Sequence, residues 1–351
     1  MEYITLTKGD PEFESYLLGT FSNDRRALPV ETFEGHNSGE RVTFKVVPVD
    51  QLDVPAWWQV YLKSCRPDLA PLTLGPSVAA WLNHYASLSQ WTQWPSWLAL
   101  IGIFFLHTAA FLYNDFQDHI RGVDRLNRNR GSQVIQKGWV TAAALRRWAW
   151  VNAGLALAFG LPAFFNAPVE LFVLCVLAAL ALTVISQNWG RRWGLCDLAM
   201  LLLFGPLLTC GIALASFARY NMADILLGLA LGSLTLWVFH VRQFGFLFRS
   251  KPETFRTFLA FLPYDRARLM VVAEAYVVFM LQLTVGLWLR VPLFFLSLVM
   301  VVGWPLNLTV LRLWRSSSPL ASQLVGISRW ALYCHLAWSL WWIMALGMVW
   351  L

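Results

Sequence analysis

Charge is what this 351-residue sequence has least of. Lys, Arg, Asp and Glu together make up 13% of it, where soluble domains carry about a quarter. Hydrophobic residues make up 58% and the mean hydropathy is +0.53. So little charge cannot cover a water-facing surface, which excludes an ordinary soluble domain. Organised cysteine is also missing. Cys65, Cys175, Cys196, Cys210 and Cys334 are scattered and show no CxxC spacing, which argues against a disulfide framework and a thiolate zinc site. Four of them lie inside apolar segments, where Cys serves as a small packing residue. There is no obvious internal repeat and no pair of broken apolar segments, so a transporter has little support. No nucleic-acid motif accompanies the net charge of +7. The opening MEYITLTKGDPEFESYLLG lacks a basic n-region and an apolar h-region, so it does not read as a signal peptide.

Long apolar runs and tryptophan are what the chain has in excess. Its 20 Trp residues suit bilayer interfaces. Nine apolar segments approach the roughly 20 residues a spanning helix needs. They run Leu69–Leu88, Pro95–Tyr113, Thr141–Leu161, Pro168–Gln187, Leu195–Phe217, Met222–Val241, Leu269–Leu289, Pro292–Leu311 and Trp330–Leu351. The expected fold class is therefore all-α: a polytopic membrane bundle of about nine transmembrane helices, occupying residues 57–351. Residues 1–56 are polar and read as an extramembrane extension, either a short β-hairpin or disordered. RVTFKVVPV, from Arg41 to Val49, alternates weakly. WWQVYLKSCRP, from Trp57 to Pro67, mixes aromatics with Lys63 and Arg66, as a helix lying at the interface does. Lys and Arg crowd the even-numbered loops, and the odd-numbered loops hold only Arg219 and Arg290. This places the N-terminus and the even loops in the cytoplasm, and the expected location is the plasma membrane.

One stretch breaks the apolar pattern with clustered acids. NDFQDHIRGVD, Asn114 to Asp124, follows directly on IGIFFLHTAAFLY. On a continuing helix Asn114 and Asp118 share a face at a spacing of four, and Asp115 and Asp118 at three. Gly122 would end the helix and let Asp124 fold back. Three carboxylates and an amide oxygen are hard donors that suit Mg²⁺ bound through a substrate phosphate. Downstream lie Arg130 and Lys137 in a run rich in Arg, and cations neutralise the phosphate oxygens that a metal leaves. The competing reading is a hydrated loop charged for topology. It accounts for the basic residues but not for the clustered acids.

NDFQDHIRGVD resembles the first aspartate-rich motif of the UbiA superfamily of intramembrane prenyltransferases. Its Gly122 and Asp124 spacing is most like the branch that prenylates 1,4-dihydroxy-2-naphthoate in menaquinone synthesis. KSCRPDLAPLTLGP (Lys63 to Pro76), RGSQVIQKGWVT (Arg130 to Thr141) and GLCDLAMLLLFGP (Gly194 to Pro206) resemble further segments of that branch, in order, over roughly residues 57–270. The resemblance implies a nine-helix chamber holding an isoprenoid diphosphate. Mg²⁺ assists diphosphate departure, and the allylic group is transferred to an aromatic or other electron-rich small-molecule acceptor at the cytoplasmic side. Carried over, Asn114, Asp115 and Asp118 hold the metal and Asp124 supports them. Arg66, Arg121, Arg130, Lys137, Asp197, His240, Arg242 and Gln243 become candidate substrate contacts. Asp197 matches the acidic position opening the fifth helix, where capping that helix is an equal alternative.

The family's second acidic motif is altered. The matching stretch reads FHVRQFGFLFRSKPET. Arg242 and Thr254 fit the motif, but its two metal-binding Asp positions are Gln243 and Leu247, and His240 replaces an Asn. Leu ligates nothing, and Gln offers only a neutral oxygen. Three readings follow: a transferase using one metal cluster with Arg and Lys, a second acid moved to Glu274 or Asp265, or a non-catalytic relative binding a polyprenyl lipid or a membrane partner. A UbiA-like terpene cyclase is a variant of the first. Of the histidines, His84 and His107 read as packing residues, His119 as a local phosphate donor, and His240 as a helix C-terminal cap. The final helix, WALYCHLAWSLWWIMALGMVW, reads as lipid-facing.

Overall fold

In the computed structural model, residues 2–35, 39–84, 94–122, 125, 131–165, 169–186, 190, 193–247 and 257–349 are described. The chain divides into two compact units, Met1–Pro67 with Phe104–Ala158, and Asp68–Ile103 with Phe159–Leu351.

In the first unit, strands β1 (Glu2–Thr7), β2 (Arg25–Gly35) and β3 (Gly39–Pro48) form an antiparallel sheet in the order β1-β3-β2. β3 is central and alternates. Val42, Phe44 and Val46 turn inward, and Val42 and Phe44 pack on Phe13 and Leu17 of helix α1 (Phe13–Leu18). That period-2 pattern gives the sheet its one buried face. Helix α2 (Trp57–Ser64) buries Val60 and Ser64 and exposes Trp57, Trp58 and Leu62. Long helices α4 (Trp94–Ile120) and α5 (Ala142–Phe165) follow. The ends that lie in this unit share a core of Val60, Leu112, Phe116, Val134, Ile135 and Leu145. Tyr61 donates a hydrogen bond to Asn152 Oδ1 across 2.7 Å, tying α2 to α5.

The second unit holds helices α3 (Pro71–Asn83), α6 (Val169–Ser186), α7 (Leu195–Phe204), α8 (Pro206–Phe217), α9 (Met222–Leu247), α10 (Tyr264–Trp288), α11 (Leu293–Val302), α12 (Trp304–Trp314) and α13 (Ile327–Val349), of which α3, α7, α8, α10 and α13 pack against α9. Two long apolar segments are bent, with Gly205 between α7 and α8 and Gly303 between α11 and α12. The first bend seats against GLALG of α9. A Cβ at Gly205 would lie 2.5 Å from the Gly228 carbonyl oxygen, and one at Gly232 would lie 2.8 Å from Gly205 Cα. Small residues four apart permit this backbone approach. Gly232→Val is therefore expected to lower stability in detergent by about 1–3 kcal/mol. Gly211→Ala, whose Cβ would meet open space, is the control in the same unfolding assay.

The final helix differs from its sequence reading. Trp338, Trp341 and Trp342 are fully buried, while Tyr333, Leu336, Leu340 and Met344 are exposed. The indoles lie at the spacings of one helical face, and two of them find buried acceptors. Trp341 donates to the Phe295 carbonyl across 2.9 Å, and Trp342 to Gln282 Oε1 across 2.6 Å. Composition alone did not separate the two faces.

Among the described residues, six helical stretches are long and apolar enough to cross a bilayer: Ser96–Ile120, Leu195–Phe217, Met222–Phe244, Tyr264–Trp288, Leu293–Trp314 and Ser322–Met348. Val169–Ile185 is apolar but shorter. Phe172, Leu293, Met300 and Val301 are largely exposed, which a lipid environment accommodates and water does not. The chain is an integral membrane protein.

Candidate functional site

The first acidic motif forms the last turns of α4. Asn114 Nδ2 donates to Asp118 Oδ2 across 3.0 Å, so the two side chains share one face, with Asn114 exposed and Asp118 half-buried. Asp115 points elsewhere. It is buried, accepts the Ser132 N–H at Oδ2 across 2.8 Å, and places Oδ1 3.7 Å from Arg66 Nη1. Asp115 thus fastens the Gly131–Val140 loop and the end of α2 to α4. The helix ends at Ile120, followed by Gly122 at φ 79°. Arg121 is exposed there. Asp124 and Arg130 lie outside the described residues.

That loop carries backbone tension and paired cations. Gln133 has φ 63° and Arg66 φ 53°, left-handed conformations that cost non-glycine residues on the order of 1–3 kcal/mol and gather at functional sites. Lys63 and Lys137 both lie over the Trp139 ring, 4.6 and 4.5 Å from its centre. Partial burial, with Lys137 alongside, pulls the Lys63 ammonium below its ordinary pKa. Two ammonium groups on one ring are an anion-binding arrangement. The sequence placed Lys63 only at the interface, and the Lys63–Trp139–Lys137 grouping appears only in three dimensions. Among the described residues no three His, Cys, Asp or Glu side chains converge into a protein-only metal cage. The exposed Asn114 and half-buried Asp118 offer instead the sparse hard-donor set that suits a Mg²⁺ ion bound mainly by phosphate and water.

A second cluster lies in the other unit. His240 Nδ1 is 2.7 Å from Glu274 Oε2 and its Nε2 is 3.2 Å from Asp197 Oδ2. Asp197 Oδ2 also accepts the Phe258 N–H across 2.9 Å. The first turn of α7 has no side-chain cap, so Asp197 cross-links helices instead of capping its own. The same holds for His240, whose ring lies between side chains of α7 and α10. Asp265 stands apart, largely exposed and paired with Arg268 at i,i+3. Gln243 is buried, and its Oε1 accepts from the Thr257 hydroxyl across 2.7 Å. Arg242 is partly buried. Leu247 ends α9, and Thr254 lies outside the described residues.

His119, His84 and His107 are structural. His119 is buried, with Nε2 3.1 Å from the Leu17 carbonyl oxygen. It faces the sheet's helix, so the expected phosphate donor is a tertiary tie. His84 Nε2 is 2.7 Å from Asp224 Oδ2, both fully or nearly fully buried. His107 packs against the Phe111 ring.

No known family model matches the chain. Two curated relatives do, both named 1,4-dihydroxy-2-naphthoate octaprenyltransferase. The one from Escherichia coli (strain K12) is 29% identical over 167 residues, covering 44% of this chain and 52% of the relative. The one from Mycobacterium tuberculosis is 29% identical over 174 residues, covering 48% and 56%. The chain spans about half the length of the curated relatives it matches. Among solved structures, digeranylgeranylglyceryl phosphate synthase superposes with a TM-score of 0.56 at 13% identity, over 83% of this chain and 99% of that one. A UbiA homolog from Archaeoglobus fulgidus bound to GPP and Mg²⁺ superposes with a TM-score of 0.56 at 16% identity, over 82% and 99%. The fold defines an intramembrane helix bundle of this kind. The chain is thus similar in part of its sequence to two naphthoate octaprenyltransferases and in its fold to the UbiA homolog.

Proposed function

We propose that this chain is a membrane prenyltransferase that moves an isoprenoid group from a prenyl diphosphate to an aromatic or other electron-rich acceptor. The observation that carries this reading is the end of α4, where Asn114 and Asp118 present oxygen donors on one accessible face. Arg66, Lys63 and Lys137 supply cations in the same unit. Mg²⁺ bound by Asn114 and Asp118 through the diphosphate would neutralise the leaving group. Asp115 fixes the loop that bears Lys137. Arg121, and Arg130 and Asp124 beyond the described residues, complete the polar set. The relatives' shared name as octaprenyltransferases and the neighbour bound to GPP and Mg²⁺ support the same class. In this reading the chain crosses the plasma membrane nine times with a cytoplasmic N-terminus, and the site opens to the cytoplasm, as the Lys and Arg distribution suggests.

Transfer needs an electron-rich carbon or heteroatom to attack the allylic carbon while the C–O bond to diphosphate breaks. The acceptor then loses a proton. Purified protein is expected to release pyrophosphate from a prenyl diphosphate in the presence of Mg²⁺, and chelation by EDTA to abolish it. Release at the same rate without divalent cations would sink the metal assignment.

The second reading, a non-catalytic lipid-binding relative, draws on Gln243 and Leu247 at the family's acidic positions. The Gln243 oxygen is already engaged by Thr257. Mg²⁺-dependent binding of a non-hydrolysable prenyl diphosphate, with no turnover on any acceptor, would favour it. Cyclised isoprenoid products without an acceptor would favour a cyclase.

A further inference from the structure

The N-terminal sheet touches the site-bearing segments at several points, all within the first unit. Arg125 is buried, and its guanidinium bonds in three directions. Nε donates to the His119 carbonyl across 2.7 Å, Nη2 donates to the Ile120 carbonyl, and Nη1 pairs with the Glu40 carboxylate of β3. These carbonyls belong to the last turn of α4, where helix acceptors run short of intrahelical partners; the His119 carbonyl also accepts the Gly122 N–H across 3.1 Å. A cation there also complements the helix dipole. His119 reaches the Leu17 carbonyl, and Ile120 packs with Phe13, Leu17, Val42 and Phe44. The loop bearing Lys137 is held from the same side. Gly138 has φ 71°, and a Cβ there would lie 2.9 Å from Leu28 Cδ2 and 3.0 Å from Leu52 Cδ1.

We propose that the N-terminal sheet is a positioning element for the first acidic motif, acting through the Glu40–Arg125 pair. Asn114 and Asp118 share a face only while the helix stays wound through its last turns. Arg125 caps that end, and Glu40 holds Arg125 in place. The sheet thereby fixes where Asp118 stands relative to Asn114 and to the loop. Glu40 and Arg125 are positioning residues and touch no substrate. The substrate clause of this inference rests on the proposed function, whereas the coupling of sheet to helix end does not.

The test uses the full chain in detergent with two readouts. Glu40→Gln keeps the side-chain shape and removes the charge. It is expected to speed hydrogen–deuterium exchange of the Asp118–Gly122 amides by about tenfold, the scale of one charge-assisted hydrogen bond. Exchange in α10 should stay unchanged. The Mg²⁺ concentration for half-maximal pyrophosphate release should rise by a similar factor of about ten, with kcat within about twofold. Arg125→Lys, which retains a cation, should fall between wild type and Glu40→Gln. Unchanged exchange at the α4 end in Glu40→Gln overturns the inference whatever the activity. Faster exchange with an unchanged Mg²⁺ requirement overturns its substrate clause. A wild-type chain that releases no pyrophosphate overturns the proposed function, and exchange then decides the coupling by itself.

Discussion

Asp118→Ala is expected to lower Mg²⁺-dependent pyrophosphate release by about 100- to 1000-fold, the usual scale for removing one preorganised electrostatic group from a reacting centre. The carboxylate stands in the last turn of α4, half-buried, and takes the Asn114 amide at 3.0 Å. That bond turns Asn114 so that its amide oxygen remains as a second neutral donor. Removing Asp118 therefore loses a charge and loosens its partner. Asp118→Asn should be milder, because it keeps an oxygen and loses only the charge. Asp115→Asn should behave differently again. Its amide oxygen still accepts the Ser132 N–H, but the attraction for Arg66 falls. Its defect should appear mainly in KM for the prenyl diphosphate, through the displaced loop, and extra Mg²⁺ should not relieve it. Part of the Asp118→Asn defect should be relieved by extra Mg²⁺. Pyrophosphate release titrated against Mg²⁺ and against substrate separates the two residues. Equal activity of Asp118→Ala and wild type would remove this motif from the reaction.

These differences track what a sequence can display. Six of the nine expected spanning segments are matched among the described residues, because bilayer length and hydropathy act over contiguous residues. The first motif was legible because its donors lie within one helical stretch, where spacings of three and four read directly as a shared face. The distinction between Asp118 and Asp115 was not, because it depends on Ser132, which is 17 residues away in the chain. β2 is obscured by Pro29 and by a register shift between Pro29 and Glu31, which breaks the period-2 signal that β3 shows. The inward face of α13 was hidden by an abundance of Trp on the same helix, since interfacial and buried indoles look alike in composition. In the second cluster the carboxylates of Asp197 and Glu274 approach His240 from separate helices, and no local pattern announces such a meeting. The sequence offered Glu274 and Asp265 as places for a relocated second acid; in the structure Glu274 reaches the His240 imidazole and Asp265 pairs with Arg268.

That convergence predicts a large stability effect. His240 is almost wholly buried, and its side chain lies between carboxylates that are 13% and 16% exposed. His240→Ala leaves Asp197 and Glu274 without the ring between them, in surroundings where water screens them poorly. Removing one partner from a buried ionic arrangement typically destabilises by about 3–5 kcal/mol. The chain should lose about that much in a denaturant unfolding experiment in detergent. His240→Gln keeps one amide donor for Glu274 and should lose less. Asp197→Asn should reduce the His240→Ala defect when the two are combined, because the stranded carboxylate is then gone. A double-mutant cycle reads this as a coupling of about 0.5–3 kcal/mol, the range for groups in one network. Glu274→Gln gives the matching measurement on the α10 side. A His240→Ala chain as stable as wild type would show that the imidazole only fills space. An additive Asp197–His240 cycle would show that the two side chains do not act as one network.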